Sequence, residues 1–124
     1  MSKIECLITL VKDNEYIYDN LSIKGIKTDK KFIYKENNIH VTIVIEDNKI
    51  IMKRSTSDYI IELNFINNSY TIGSYYLNEY KKSLKLDIKT NICTYDKNKV
   101  YIDYYLNMEK EYLGHFVFSL ESEV

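Results

Sequence analysis

The chain of 124 residues contains no proline and no tryptophan, only three glycines, two cysteines and two histidines, and a single arginine, Arg54, against sixteen lysines. Each shortage excludes something. Without proline, no position is barred from donating its N–H to a β-ladder. With so little glycine, the left-handed corners of turns fall to asparagine and aspartate, which tolerate them. Two cysteines are too few for a disulfide framework, and both Cys6 and Cys93 sit inside strand-like runs, so they read as reduced core thiols. His40, His115, Cys6 and Cys93 share no chelating spacing, so no metal site is expected. No nucleophile, base and orienter share a recognisable context, so the chain does not read as an enzyme and implies no cofactor.

Charge is equally unassertive. Seventeen basic residues face eighteen acidic ones, which argues against a dedicated DNA-binding domain. No apolar run approaches a membrane span of about 20 residues. The opening MSKIECLITLVK is interrupted by Glu5 and lacks a small-residue cleavage site, so a cytoplasmic location is expected.

What is present is alternation. Ile4, Cys6, Ile8 and Leu10 share one face of the first run, and Asp13–Asn14 break it. Runs follow at 16–26 and 31–35, then Ile39, Val41, Ile43 and Ile45 after an Asn37–Asn38 turn, then Ile50, Met52 and Arg54. Tyr59, Ile61, Leu63 and Phe65 alternate next, and residues 70–77 follow. From Ser83 to Tyr95, Leu84, Leu86, Ile88 and Ile92 oppose Lys85, Asp87, Lys89 and Asn91. Val100, Ile102, Tyr104 and Leu106 and a last run at 112–120 complete the series. This is the period-two mark of strands with one wet face. Hairpin-length breaks leave no room for parallel crossovers. With no amphipathic helix to cover the sheet, although residues 78–83 suggest one helical turn, the sheet must cover itself. The expected fold is all-β: a single domain over 1–124, a small antiparallel meander β-barrel of about 8–10 strands.

Five segments and their spacing carry a resemblance: FIYKENN at 32–38, IIMKRS at 50–55, GSYY at 73–76, KSLKLDIKT at 82–90 and KVYIDYYL at 99–106. In order and spacing the chain, from about residue 20 to 120, resembles the YwiB-like family of small bacterial proteins. That resemblance implies a calycin-like (lipocalin-like) β-barrel and brings no activity with it. Two departures stand out. Thr56 occupies the place of a glycine usual after the family's Arg-Ser pair, and the stretch between Tyr34 and Arg54 is shorter than the family's. The second raises an incompletely closed barrel as the alternative, with an open edge through which a homodimer would form.

Arg54 falls in register with Ile50 and Met52, so it is expected to point inward. Its planar donor fork would anchor a carboxylate or phosphate, or else close one barrel end structurally. Tyr34, Tyr76 and Tyr104 fall on the apolar faces of their runs and Tyr75, Tyr101 and Tyr105 on the other. Arg54, Tyr34, Tyr76 and Tyr104 are therefore the candidate ligand-binding residues, against the plainer reading that tyrosine is simply a good strand former. Lys81, Lys82, Lys85 and Lys89 beside Tyr80 form the densest basic stretch, either a single-strand nucleic-acid platform or a solvated strand face. Two functions remain open: a barrel holding a small, partly apolar ligand inside, or a non-catalytic protein- or RNA-interaction module with a filled core.

Overall fold

The computed structural model describes residues 2–122; residues 1, 123 and 124, at the ends of the expected 1–124 domain, lie outside them. Ten strands follow one another: β1 (Ser2–Lys12), β2 (Glu15–Thr28), β3 (Lys31–Glu36), β4 (Ile39–Ile45), β5 (Ile50–Ser55), β6 (Tyr59–Phe65), β7 (Ser69–Leu77), β8 (Lys82–Asp96), β9 (Lys99–Met108) and β10 (Glu111–Ser122). Each pairs antiparallel with its neighbours in sequence, and β1 also pairs with β10, which closes the barrel. The stretch between Tyr34 and Arg54 therefore lacks no strand: β3, β4 and β5 pair with one another along their lengths, Tyr34 opposite Val41 and Val41 opposite Arg54.

The turns are built as the glycine shortage requires. Asn14, Asn37 and Asn68 all take positive φ, as does Asp13 beside Asn14. Two consecutive positive φ values at Asp13–Asn14 make the primed hairpin whose twist suits the flanking strands. Residues 78–81 form a hydrogen-bonded turn and no helix. The Lys81 N–H donates to the Asn78 carbonyl, Lys81 takes φ 48°, and the Asn78 side chain donates to the Ser57 carbonyl at 2.7 Å. The side-chain bond ties this corner to the neighbouring turn, so no helical cover forms.

A ten-stranded barrel is wider than the eight-stranded ones that ordinary side chains just fill, so its interior takes large groups or stays hollow. Here it is packed. Phe32, Phe65, Phe118, Met52, Ile43, Ile102 and Leu120 are all essentially inaccessible and belong to one cluster. Phe65 tilts onto Tyr104 with ring centroids 4.6 Å apart, and Tyr95 meets Phe32 edge-on at 6.1 Å.

Two local features shift the expected faces. In β8 a bulge at Asn91 breaks the register between Thr90 and Ile92, so Ile92 leaves the Leu84–Leu86–Ile88 face and stands 44% exposed, while Cys93 and Tyr95 turn inward. In β7 the inner face is Thr71, Gly73 and Tyr75, and Tyr70 and Ile72 point outward at 80% and 58% exposure. Gly73 is required there because a methyl group would overlap the Glu62 carbonyl oxygen of β6. Gly73→Ala is expected to destabilise the barrel by about 1–3 kcal/mol, measured as a lower urea midpoint with an unchanged slope.

Burial in this core pushes the thiols of Cys6 and Cys93 up to about 11 from an ordinary 9.0. Burial also holds the Tyr34 and Tyr104 phenols well above the usual tyrosine range. The sign follows from linkage. The folded state keeps these protons longer than the unfolded chain, so their contribution is complete below about pH 9 and is lost as pH rises from there toward 11 and beyond. Urea unfolding across that range should show stability falling steeply above pH 9. At pH 8 the buried Cys6 thiol should resist a thiol reagent until denaturant is added.

Candidate functional site

The five hairpin turns at 13–14, 37–38, 56–58, 78–81 and 109–110 crowd one end of the barrel, and the interior differs between its two ends. Toward the opposite end the core is closed by Ile45, Ile50, Phe65, Val100 and Leu120. Toward the first end the inward side chains are only half-buried: Leu10, Ile61, Tyr75, Leu106, Met108 and Phe116 pack against the core but are not covered by it.

Under this apolar rim lies an ion pair. Alternation along β3 carries Phe32, Tyr34 and Glu36 to one inward face, with Glu36 at the strand's last position. Alternation along β5 does the same for Ile50, Met52 and Arg54. The ladder Tyr34–Val41–Arg54 puts the two faces in one row. The Arg54 Nη2 donates to Glu36 Oε2 at 3.1 Å and Oε1 at 3.3 Å. The Glu36 side chain is 1% exposed and that of Arg54 17%. Burial pulls the guanidinium downward, but facing Glu36, together with Tyr34 and Tyr104, more than reverses this, so the net shift of Arg54 is upward and it stays charged. Around it stand Tyr34 and Tyr104, both neutral donors at ordinary pH. The Tyr34 hydroxyl is fully buried and has no hydrogen-bond partner among the described residues. Such a group costs about 1–3 kcal/mol relative to a satisfied one.

The wall beside this pair is thin. β2 meets β3 only from Gly25↔Tyr34 to Thr28↔Lys31, whereas β2 continues alongside β1 back to Glu15. The backbone of residues 15–24 thus forms a free edge, blunted by register breaks opposite Ile8–Val11 and by Asn20 at φ 52°. Leu21 faces the interior opposite Ile8, yet keeps 37% exposure because β3 has turned away. Tyr18 lies in this opening against Glu36; burial first and the carboxylate second raise its phenol.

The structure brings together three of the four residues singled out from the sequence. Arg54, Tyr34 and Tyr104 share the interior at one end. Tyr76 does not join them. It pairs with Ile60 on the outer side of β7, and Tyr75 takes the inward place, stacked on Tyr59 at 5.5 Å. The sequence misleads because β7 carries its larger apolar residues, Tyr70 and Ile72, outward and its small ones inward. Glu36 was missed, although period two from Phe32 and Tyr34 reaches it. Tyr18 carried no usable signal, because its facing depends on where β2 parts from β3.

Elsewhere, His115 Nε2 lies 2.6 Å from Asp103 Oδ1, which also accepts from the Asn91 amide, and Tyr105 stacks on the imidazole at 4.5 Å. Lys85 pairs with Asp87 at 3.5 Å, and Lys89 lies over the Tyr70 ring. That outer face is of mixed charge. Surface clefts of about 350 to 560 Å³ flank β1 and β2, β7 and β8, and the hairpin at 46–49, and Arg54 lines none of them.

No family model and no curated protein matches the chain. Among solved structures, the crystal structure of the YwiB protein from Bacillus subtilis superposes with a TM-score of 0.57 at 14% identity, covering 98% of this chain and 91% of that one. The chain has the YwiB fold. The resemblance read from the segment order is thus matched in three dimensions across nearly the whole of both proteins. At this identity the likeness extends to YwiB's architecture alone, and the chemistry of the site rests on this chain's own residues.

Proposed function

We propose that the barrel binds a small, partly apolar ligand at its half-open end, anchored by Arg54. The ligand lies in a shallow mouth and not in a deep central cavity, because Phe65, Met52, Phe118 and their neighbours fill the core below it. The observation that carries it is the buried Tyr34 hydroxyl without a partner, beside an arginine that uses one of its three nitrogens on Glu36. A buried donor without a partner, beneath a half-exposed apolar rim, is what a ligand with a polar head and an apolar body would satisfy.

Native mass spectrometry of the protein purified from the cells that naturally make it, compared with its denatured mass, tests this directly. A retained adduct that disappears in Arg54→Gln is expected. Tyr34→Phe separates the two roles of the hydroxyl: the ligand-free variant should gain about 1 kcal/mol by losing an unsatisfied buried group, while retaining less ligand. A variant that loses stability and keeps its adduct would contradict the assignment.

The filled centre also favours a second reading, a non-catalytic interaction module whose partner binds the outer wall at Tyr70 and Ile72. A bare native mass together with a partner lost on Tyr70→Ser and Ile72→Ser would favour it.

A further inference from the structure

We infer that the site selects a neutral ligand carrying a carbonyl-type acceptor, such as an amide or ester, over the corresponding carboxylate; this rests on the ligand-binding reading above. The charge at the floor is already balanced. Arg54 spends its positive charge on Glu36, which is nearly inaccessible and held by both oxygens. Nearby, Lys12 lies with its ammonium 5.9 Å from the Phe116 ring centroid, and its neighbour Asp13 is held below the usual carboxylate range, chiefly by the His115 N–H and in part by Lys12. A carboxylate entering the mouth would place a second anion beside Glu36, where the charge of Arg54 is already spent.

Hydrogen bonding points the same way. What remains unused at the floor is donors: the other guanidinium nitrogens of Arg54 and the hydroxyl of Tyr34. An incoming group therefore needs acceptor lone pairs and no net charge. A carbonyl oxygen meets both conditions. An alkylammonium meets neither, since it adds donors to donors. The apolar remainder of the ligand would lie against Leu10, Ile61, Leu106, Met108 and Phe116.

Calorimetric titration of the whole protein at pH 7.5 with octanamide and with octanoate tests this. Octanamide should bind at least tenfold more tightly than octanoate. In Glu36→Gln, which keeps shape and an acceptor oxygen but frees the charge of Arg54, the preference should reverse. Octanoate binding as tightly as octanamide to the unmodified protein would overturn the neutral-ligand inference and leave the site standing. Binding of both that is unaffected by Arg54→Gln would overturn the site itself, as would failure of both to bind to either protein.

Discussion

Arg54→Ala is expected to cost about 3–5 kcal/mol of folding stability, the range for removing one partner of a buried pair. The loss arises mainly from what is left behind. Glu36 would remain a carboxylate at 1% exposure with its cation gone. The variant should answer by unfolding around the uncompensated carboxylate. A domain of this kind is stable by about 5–15 kcal/mol, so the variant should lie near the edge of folding at ordinary temperature. The control is the double replacement Arg54→Met with Glu36→Leu. Removing both charges removes the desolvation cost with the attraction, so most of the lost stability should return. Chemical denaturation of the single and double variants decides it. A double variant as unstable as Arg54→Ala would mean that the arginine acts through packing alone.

Phe65→Ala should cost a similar amount, about 3–5 kcal/mol. Phe65 is fully buried, its ring lies against Tyr104, and its carbonyl accepts from the Cys93 thiol at 3.8 Å. Truncation would open a void in the core of a ten-stranded barrel, where neighbours on fixed ladders cannot collapse into it. The variant also distinguishes a filled interior from a hollow one. If the centre were a solvent-filled chamber, the lost ring would be replaced by water at little cost. A change below about 1 kcal/mol by thermal or urea unfolding would therefore contradict the packed core described above.

Much of this architecture was legible in the residues, because period two is a strong signal wherever one face is dry. Ile4–Cys6–Ile8–Leu10 and Ile39–Val41–Ile43–Ile45 face inward as their alternation requires. Arg54 and Tyr104 follow from the same rule. The failures have a common cause. Asn91, Asn20 and the parting of β2 from β3 are changes of register, and a one-residue shift moves every later side chain to the other face. Ile92 is misplaced by such a shift. Tyr76 is misplaced for another reason: on β7 the close approach of Glu62 demands Gly73 inward, which inverts the usual association of size with burial. Closure at Tyr34–Arg54 was hidden for a third reason. A shorter hairpin suggests a missing strand, but β3 and β5 need only six residues each to complete their ladders.

The Arg54–Glu36 floor joins the fold to the proposed function, and the preference between two ligands tests it most directly. Octanamide and octanoate share one chain and differ only at the head, so their ratio of dissociation constants isolates what the floor recognises. A ratio of at least tenfold in favour of the amide is expected in the unmodified protein, with its reversal in Glu36→Gln. Equal binding of the two ligands, unchanged when Arg54 or Glu36 is replaced, would contradict it.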